Sequence, residues 1–271
     1  MASNVPRWQV VSTAAIILLA TASSLLGLFR AGHYPPALLP GFYIQDALLL
    51  LVGVPTLALG VASASVGSKR GRIVWLGALA YMTYMSVSIA LQITFNQFFL
   101  GYVLWTGLSF YTLAGALATT DPTRIKAAVA EHISERLYGV FLWIIAIGLA
   151  ALWLSELVPA TLTGSPPLLV AEVGPHALAS HFIDLSMAAP AMAIAGTWLW
   201  RQRPWGYAVG GAALVFGTLL APTLAAVTVV LMLGESVTVP PVAVVFTILP
   251  VLIAAVLAIR FLLAITEDES G

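Results

Sequence analysis

Long apolar runs alternate with short polar connections along the chain, and the runs fall at residues 9–29, 43–66, 73–94, 98–118, 137–158, 177–200, 205–233 and 240–264. Each approaches or exceeds the roughly 20 residues a helix needs to cross about 30 Å of hydrocarbon. A soluble helical protein would need a polar face on most of these segments, and they offer too little of one. Gly and Pro recur inside the runs, but in a membrane helix neighbouring helices and side chains repair the backbone bonds they disturb. The pattern predicts an all-α, polytopic membrane protein with eight transmembrane helices in one integral membrane domain over residues 1–271.

The connections add an orientation. SKRGR at 68–72, RQR at 201–203 and DPTRIKAAVAEHISERL at 121–137 are basic. If they face the cytoplasm, that side holds Arg7, Lys69, Arg70, Arg72, Arg124, Lys126, Arg136, Arg201, Arg203 and Arg260, which leaves Arg30 alone outside. Retention of basic residues on the cytoplasmic side sets topology. The expectation is therefore a plasma-membrane protein with both termini cytoplasmic. Within 121–137, Ile125, Val129, Ile133 and Leu137 recur at four-residue spacing. That spacing predicts either an interfacial helix laid against lipid, with Arg124, Lys126, Glu131 and Glu135 wet, or a solvated linker.

The two halves resemble each other faintly. GHYPP at 32–36 precedes YIQD at 43–46, and GSPP at 164–167 precedes HFID at 181–184. Each tetrapeptide leads into an apolar helix containing a proline, Pro55 or Pro190, and then into a basic connection. Two degenerate four-helix pseudo-repeats, 1–120 and 137–265, are the expectation, joined by the short cytoplasmic amphipathic segment. Because four is even, such copies share one topology and would be related about an axis normal to the membrane.

Composition narrows the function classes. Hydrophobic residues make up 61% of the chain and charged residues 8%, against about 25% charged in a soluble domain. The absence of cysteine excludes disulfides, thiol catalysis and thiolate metal sites. Zero formal net charge and the lack of a concentrated basic groove argue against a nucleic-acid partner. Membrane lipids and a small solute or protons are the expected partners. Trp8, Trp75, Trp105, Trp153, Trp198, Trp200 and Trp205 lie mostly near predicted helix ends, which suits interfacial anchoring.

Few polar residues remain to carry chemistry. Asp46, Glu156 and Asp184 fall inside or at the edge of spans, at the same predicted depth as His33, His176 and His181. A carboxylate facing lipid is costly, so these groups should meet in an ion pair or a wet cavity. His181 and Asp184, three apart on a helix, share a face, and Asp184 is expected to orient the imidazole. Gln45 beside Asp46, and Asn96 in the turn between the third and fourth runs, are further candidates to line a ligand or proton pathway. Tyr81, Tyr84, Ser86, Ser88 and Gln92 form a polar stripe on the third helix.

Three functions are compatible with these groups. The leading expectation is a proton-coupled transporter of a small solute or ion, with protonation of Asp46 or Asp184 coupled to an outward-side polar cavity. A structural or regulatory membrane protein needs only packing. A metal-dependent membrane hydrolase would draw on His33, His176, His181 and Asp184 as divalent-metal ligands, although no HExxH or GxSxG motif is present. No cofactor is expected. A retinal Schiff base in particular lacks an amine, because the only lysines, Lys69 and Lys126, lie in connections.

Overall fold

In a computed structural model the chain is described over residues 5–35, 39–93, 95–233 and 241–267. The fold is 86% helical, with no strand among the described residues. The helices are α1 (Arg7–Phe29), α2 (Leu39–Leu48), α3 (Val54–Ser65), α4 (Lys69–Gln92), α5 (Phe99–Ala118), α6 (Pro122–Val129), α7 (Glu135–Thr163), α8 (Leu168–Val173), α9 (Leu178–Ile183), α10 (Ala189–Trp200), α11 (Pro204–Leu233) and α12 (Pro241–Ala264). α2 runs into α3 through the π-helical turn Leu49–Gly53, and α9 into α10 through the π-helical turn Asp184–Ala188. Among the described residues six segments are long and apolar enough to cross a membrane: Arg7–Phe29, Gly41–Ser65, Lys69–Gln92, Phe99–Ala118, Glu135–Thr163 and Pro175–Trp200. The chain is an integral membrane protein of helical-bundle type. The last two apolar runs are also helical, as α11 and α12, and the connection 234–240 lies outside the described residues.

Both π turns have the same local cause. Pro55 and Pro190 each stand two residues beyond a π turn. A proline cannot donate to the carbonyl four residues back and its ring crowds that carbonyl. Widening the turn before it relieves the conflict and leaves the helix continuous.

The likeness extends through the following connections at one constant separation in sequence. Gly67 is left-handed at φ 90 and Gln202 at φ 53. Ser68 N donates to Ser63 O at 3.1 Å and Gly67 N to Ala64 O at 3.0 Å; Arg203 N donates to Trp198 O and Gln202 N to Leu199 O, both at 2.9 Å. Each set of bonds is a Schellman ending, in which a left-handed residue lets the last carbonyls find donors. Glycine is the usual occupant; Gln202 takes the same conformation, and its carbonyl accepts from Lys126 Nζ at 2.8 Å. After each turn a glycine opens the next helix, Gly71 against the backbone of Ser63 and Ala64, and Gly206 against the backbone of Trp198 and Leu199. The two sets of π turn, proline, left-handed residue and helix-opening glycine keep one register throughout.

The core sits along α4, of which 72% of the membrane-length window is buried. α4 packs against α3, α5 and α11; it also reaches α9, while α11 reaches α2. Trp75 and Trp105 are fully buried. These two belong to the core rather than to an interfacial belt, because Trp75 Nε1 finds Thr13 Oγ1 at 3.2 Å inside the bundle and its ring lies beside the Arg72 guanidinium at 5.3 Å.

Residues 121–137 do not lie along lipid as one amphipathic helix. Asp121 caps α6 by accepting from the Thr123 and Arg124 amides, and Ile125 and Val129 are buried where α6 packs on α11 and α12. Burial against those helices satisfies the apolar face that the spacing identified. Leu137 instead starts α7 and is exposed.

Candidate functional site: two polar clusters at one end of the bundle

Arg30 and the turn at 95–98 mark the end of the bundle opposite the basic connections, and Arg30 Nη2 donates there to Gln97 Oε1 at 2.6 Å. Below them lies a cluster drawn from α1, α2, α5 and the loop after α1. Ser24 Oγ donates to Asp46 Oδ1 at 3.1 Å. His33 Nε2 and Tyr102 Oη are 2.9 Å apart. Asn96 holds this loop: its Nδ2 donates to His33 O at 3.2 Å, and its Oδ1 accepts from Phe98 N at 2.9 Å. Asn96 therefore both caps the turn into α5 and pins His33. The Tyr34 ring packs edge-on to His33 and tilted against Phe42, at centroid separations of 4.7 and 4.5 Å.

Asp46 is completely buried. Gly27 makes this geometry feasible, because a side chain there would occupy the space filled by Asp46 Oδ2 and the Tyr34 ring and hydroxyl. Asp46 Oδ2, Tyr34 Oη and Ser23 Oγ are enclosed together, with the Tyr34 hydroxyl facing both Asp46 and Ser23. Gln45 Nε2 is enclosed as well, without a bond among the described residues. Burial, and secondarily the charge of Arg30, lower the pKa of His33. The ring is thus neutral near pH 7, with one nitrogen to donate and one to accept.

The second cluster joins α4, α7 and α9. Asp184 Oδ1 accepts from Tyr84 Oη and Oδ2 from Trp153 Nε1, both at 2.8 Å. His181 Nδ1 bonds Ala177 O at 2.9 Å, its Nε2 lies 3.6 Å from Glu156 Oε2, and its ring packs tilted against Trp153 at a centroid separation of 4.2 Å. Glu156 Oε2 also accepts from Leu169 N at 3.1 Å.

His181 and Asp184 are thus neighbours, as their spacing requires, but the expected bond from Asp184 to the imidazole is not made. The Ala177 carbonyl takes Nδ1, Glu156 faces Nε2, and two donors from other helices occupy Asp184. Tyr84 belongs to the polar stripe of the third helix; Trp153 is indistinguishable in sequence from an anchoring tryptophan. His176 sits in the 3-10 turn Pro175–Ala177, with no hydrogen bond to either cluster among the described residues. The structure therefore divides the sequence candidates: Asp46, Asn96 and His33 share one cluster, with Gln45 adjoining, and Glu156, His181 and Asp184 share the other. Among the described residues no three His, Asp or Glu side chains are grouped to hold a metal ion.

The repeated register also changes which residues correspond. Counted from the π turns and prolines, His181 stands where Asp46 stands, each three residues before its π turn, and Asp184 matches Leu49. YIQD at 43–46 and HFID at 181–184 lie three residues apart in this register.

No family model, curated protein or solved structure matches the chain.

Proposed function

We propose that this chain is an eight-span membrane protein of two related four-helix halves that couples proton movement to transport of a small solute or ion, with Asp46 as the proton-binding group. Asp46 carries the reading: it is fully buried within an apolar span, with no cation at hydrogen-bond distance among the described residues and only the neutral hydroxyls of Ser24 and Tyr34 against its carboxyl group. Enclosure favours the neutral form of a carboxyl group and wetting the ionised form. A group that changes its access to water therefore takes up and releases a proton.

The repeated register supports the two-half organisation, in which one unit moves against the other around polar sites near their interface. π turns recur at functional positions, and those before Pro55 and Pro190 are the points at which each half's second helix can bend. All lysines and arginines except Arg30 lie on the side assigned to the cytoplasm, which supports both termini inside.

A structural role is favoured at Asp184, because each of its oxygens is already bonded to a different helix. Reconstitution in vesicles with an imposed pH gradient tests the division. Asp46→Asn should abolish gradient-driven flux of any solute the wild type carries, by at least tenfold, while the protein still purifies folded. Asp184→Asn should lower thermal stability more than coupling. Full coupled flux in folded Asp46→Asn would sink the proposal.

A further inference from the structure

Asp46 lies at one end of a polar line that continues through the bundle between α1 and α5. The buried face of α1 is polar at both ends: Ser23 and Ser24 stand beside Asp46 and the Tyr34 hydroxyl, Gln9 and Thr13 lie toward the basic end, and Ile16 and Ala20 occupy the middle. α5 runs antiparallel to it. Gln9 Nε2 donates to Thr119 Oγ1 at 3.4 Å near the basic end, and Ser23 faces the Tyr102 hydroxyl at the other. Between these two contacts the buried face of α5 presents Trp105, Ser109 and Thr112. Its hydroxyls therefore stand level with Ile16 and Ala20, where α1 has none. Steps of three or four residues along α5 are about 4.5–6 Å at 1.5 Å per residue, a gap that one bridging water spans.

The bonding of these groups sets the line apart. Several other hydroxyls in the helices fold back on their own backbone: Ser65 Oγ donates to Val61 O, Thr83 Oγ1 to Leu79 O, Thr197 Oγ1 to Ala193 O and Thr218 Oγ1 to Leu214 O. Ser109 Oγ and Thr112 Oγ1 do not, and Trp105 Nε1 and Gln9 Oε1 also have no hydrogen-bond partner among the described residues. All four residues are at most 1% exposed. Trp75 is the contrast: it is as deeply buried, but its Nε1 donates to Thr13 Oγ1 at 3.2 Å. A buried polar atom without a protein partner ordinarily bonds an ordered water. Along this interface a donor-only indole, two hydroxyls that both donate and accept, and an amide oxygen that accepts follow one another, which is a complete lining for hydrogen-bonded water.

We infer that the α1–α5 interface holds a file of water molecules that joins Asp46 to the basic end of the bundle, and that protons reach and leave Asp46 along it. A proton enters beside Thr119, which is exposed, and binds the first water; each water passes one proton on, and the last delivers one to the Asp46 carboxylate. Release runs the same steps backward. The hydroxyls of Ser109 and Thr112 accept one hydrogen bond and donate another, so they stand between waters, whereas Trp105 only donates and positions one. The proton route rests on Asp46 as the proton-binding group, but the water file is measured without any transport.

The test uses full-length protein in detergent with isotope-labelled tryptophan, and reads the exchange of each indole N–H with water by NMR. In the wild type Trp105 should exchange at least tenfold faster than Trp75, although both are fully buried. Ser109→Ala/Thr112→Val should slow Trp105 at least tenfold and leave Trp75 unchanged, whereas Thr218→Val, which removes a hydroxyl bonded to its own helix, should alter neither. In vesicles with an imposed pH gradient the same double variant should lower coupled flux at least tenfold with Asp46 intact. Trp105 exchanging as slowly as Trp75 in the wild type overturns the file, and that comparison needs no variant to fold. Fast exchange at Trp105 that the double variant does not slow overturns the path through Ser109 and Thr112. Slow exchange with flux lost in Asp46→Asn rejects the file alone and leaves the transport reading; fast exchange with full flux in Asp46→Asn rejects the proton route together with that reading.

Discussion

Glu267 shows how much one side chain can do at a helix start. Its carboxylate accepts from Ser68 Oγ at 2.8 Å and from the Lys69 and Arg70 amides at 2.9 Å, so it supplies acceptors for donors that the first turn of α4 leaves open. Arg70 in turn donates to Ile265 O at 2.7 Å, and Thr266 N to Ala128 O at 2.9 Å. The segment after α12 is thereby latched to α4 and α6. Burial opposes ionisation of Glu267, but the Arg70 and Lys69 amides, the Ser68 hydroxyl and the Arg70 charge outweigh it and lower its pKa below the ordinary 4.5. A depressed carboxyl pKa contributes stability that is fully present above the unfolded value and is lost as pH falls through the folded one. Glu267→Gln should therefore cost about 1 kcal/mol at neutral pH, the usual worth of a helix cap, and the gap from wild type should narrow as pH falls below the ordinary 4.5. Thermal unfolding in detergent across pH 3–7 reads both effects; a gap that persists undiminished at pH 3 would show that the carboxylate charge is not what holds the latch.

At the scale of elements, close approach between consecutive helices depends on glycine at particular places. A side chain at Gly206 would run into the backbone of Trp198 and Leu199, and backbone cannot swing aside as a side-chain tip can. Gly206→Ala should destabilise the α10–α11 corner by roughly 1–3 kcal/mol, the range for overpacking. Gly217, further along the same helix, has nothing within 4 Å of the place a Cβ would take. Its replacement by alanine should be neutral or stabilising by up to about 1 kcal/mol, from helix propensity alone. Equal melting temperatures for the two variants would contradict the close corner. Spacing announced the helices on either side of this corner, and their observed bounds, Pro175–Trp200 and Pro204–Leu233, fall within a few residues of the expected ones. The Schellman bonds and π turns were not legible, because Gln202 carries no sign that it is left-handed and a proline marks a disturbed turn without saying how it is resolved.

For the whole molecule, the lack of cysteine gives a direct test of topology. Single cysteines at Gln97 and at Arg201 should react from opposite sides of the membrane with an impermeant maleimide, Gln97 from outside and Arg201 only after permeabilisation. Reaction of both from one side would refute the proposed arrangement of spans, and a reversed pattern would refute the orientation. The candidate site was legible at this scale only as a shared depth. Spacing assigns Asp46, His33 and Asn96 the same depth as Glu156, His181 and Asp184, yet depth does not distinguish positions around the bundle. The packing of α1 on α5, and of α4 on α9, separates them into two clusters where one shared cavity was expected.

Hydrophobic runs of membrane length and the concentration of basic residues between them determine, by themselves, an all-helical integral membrane protein and the depth of its polar groups, because both follow from the cost of placing charge in hydrocarbon. Which polar groups meet was decided only by tertiary structure. Rotation of a helix about its own axis is set by packing, not by hydropathy. That rotation gives Asp184 its bonds from Tyr84 and Trp153, and leaves Asp46 enclosed over Gly27 beside the neutral hydroxyls of Ser24 and Tyr34.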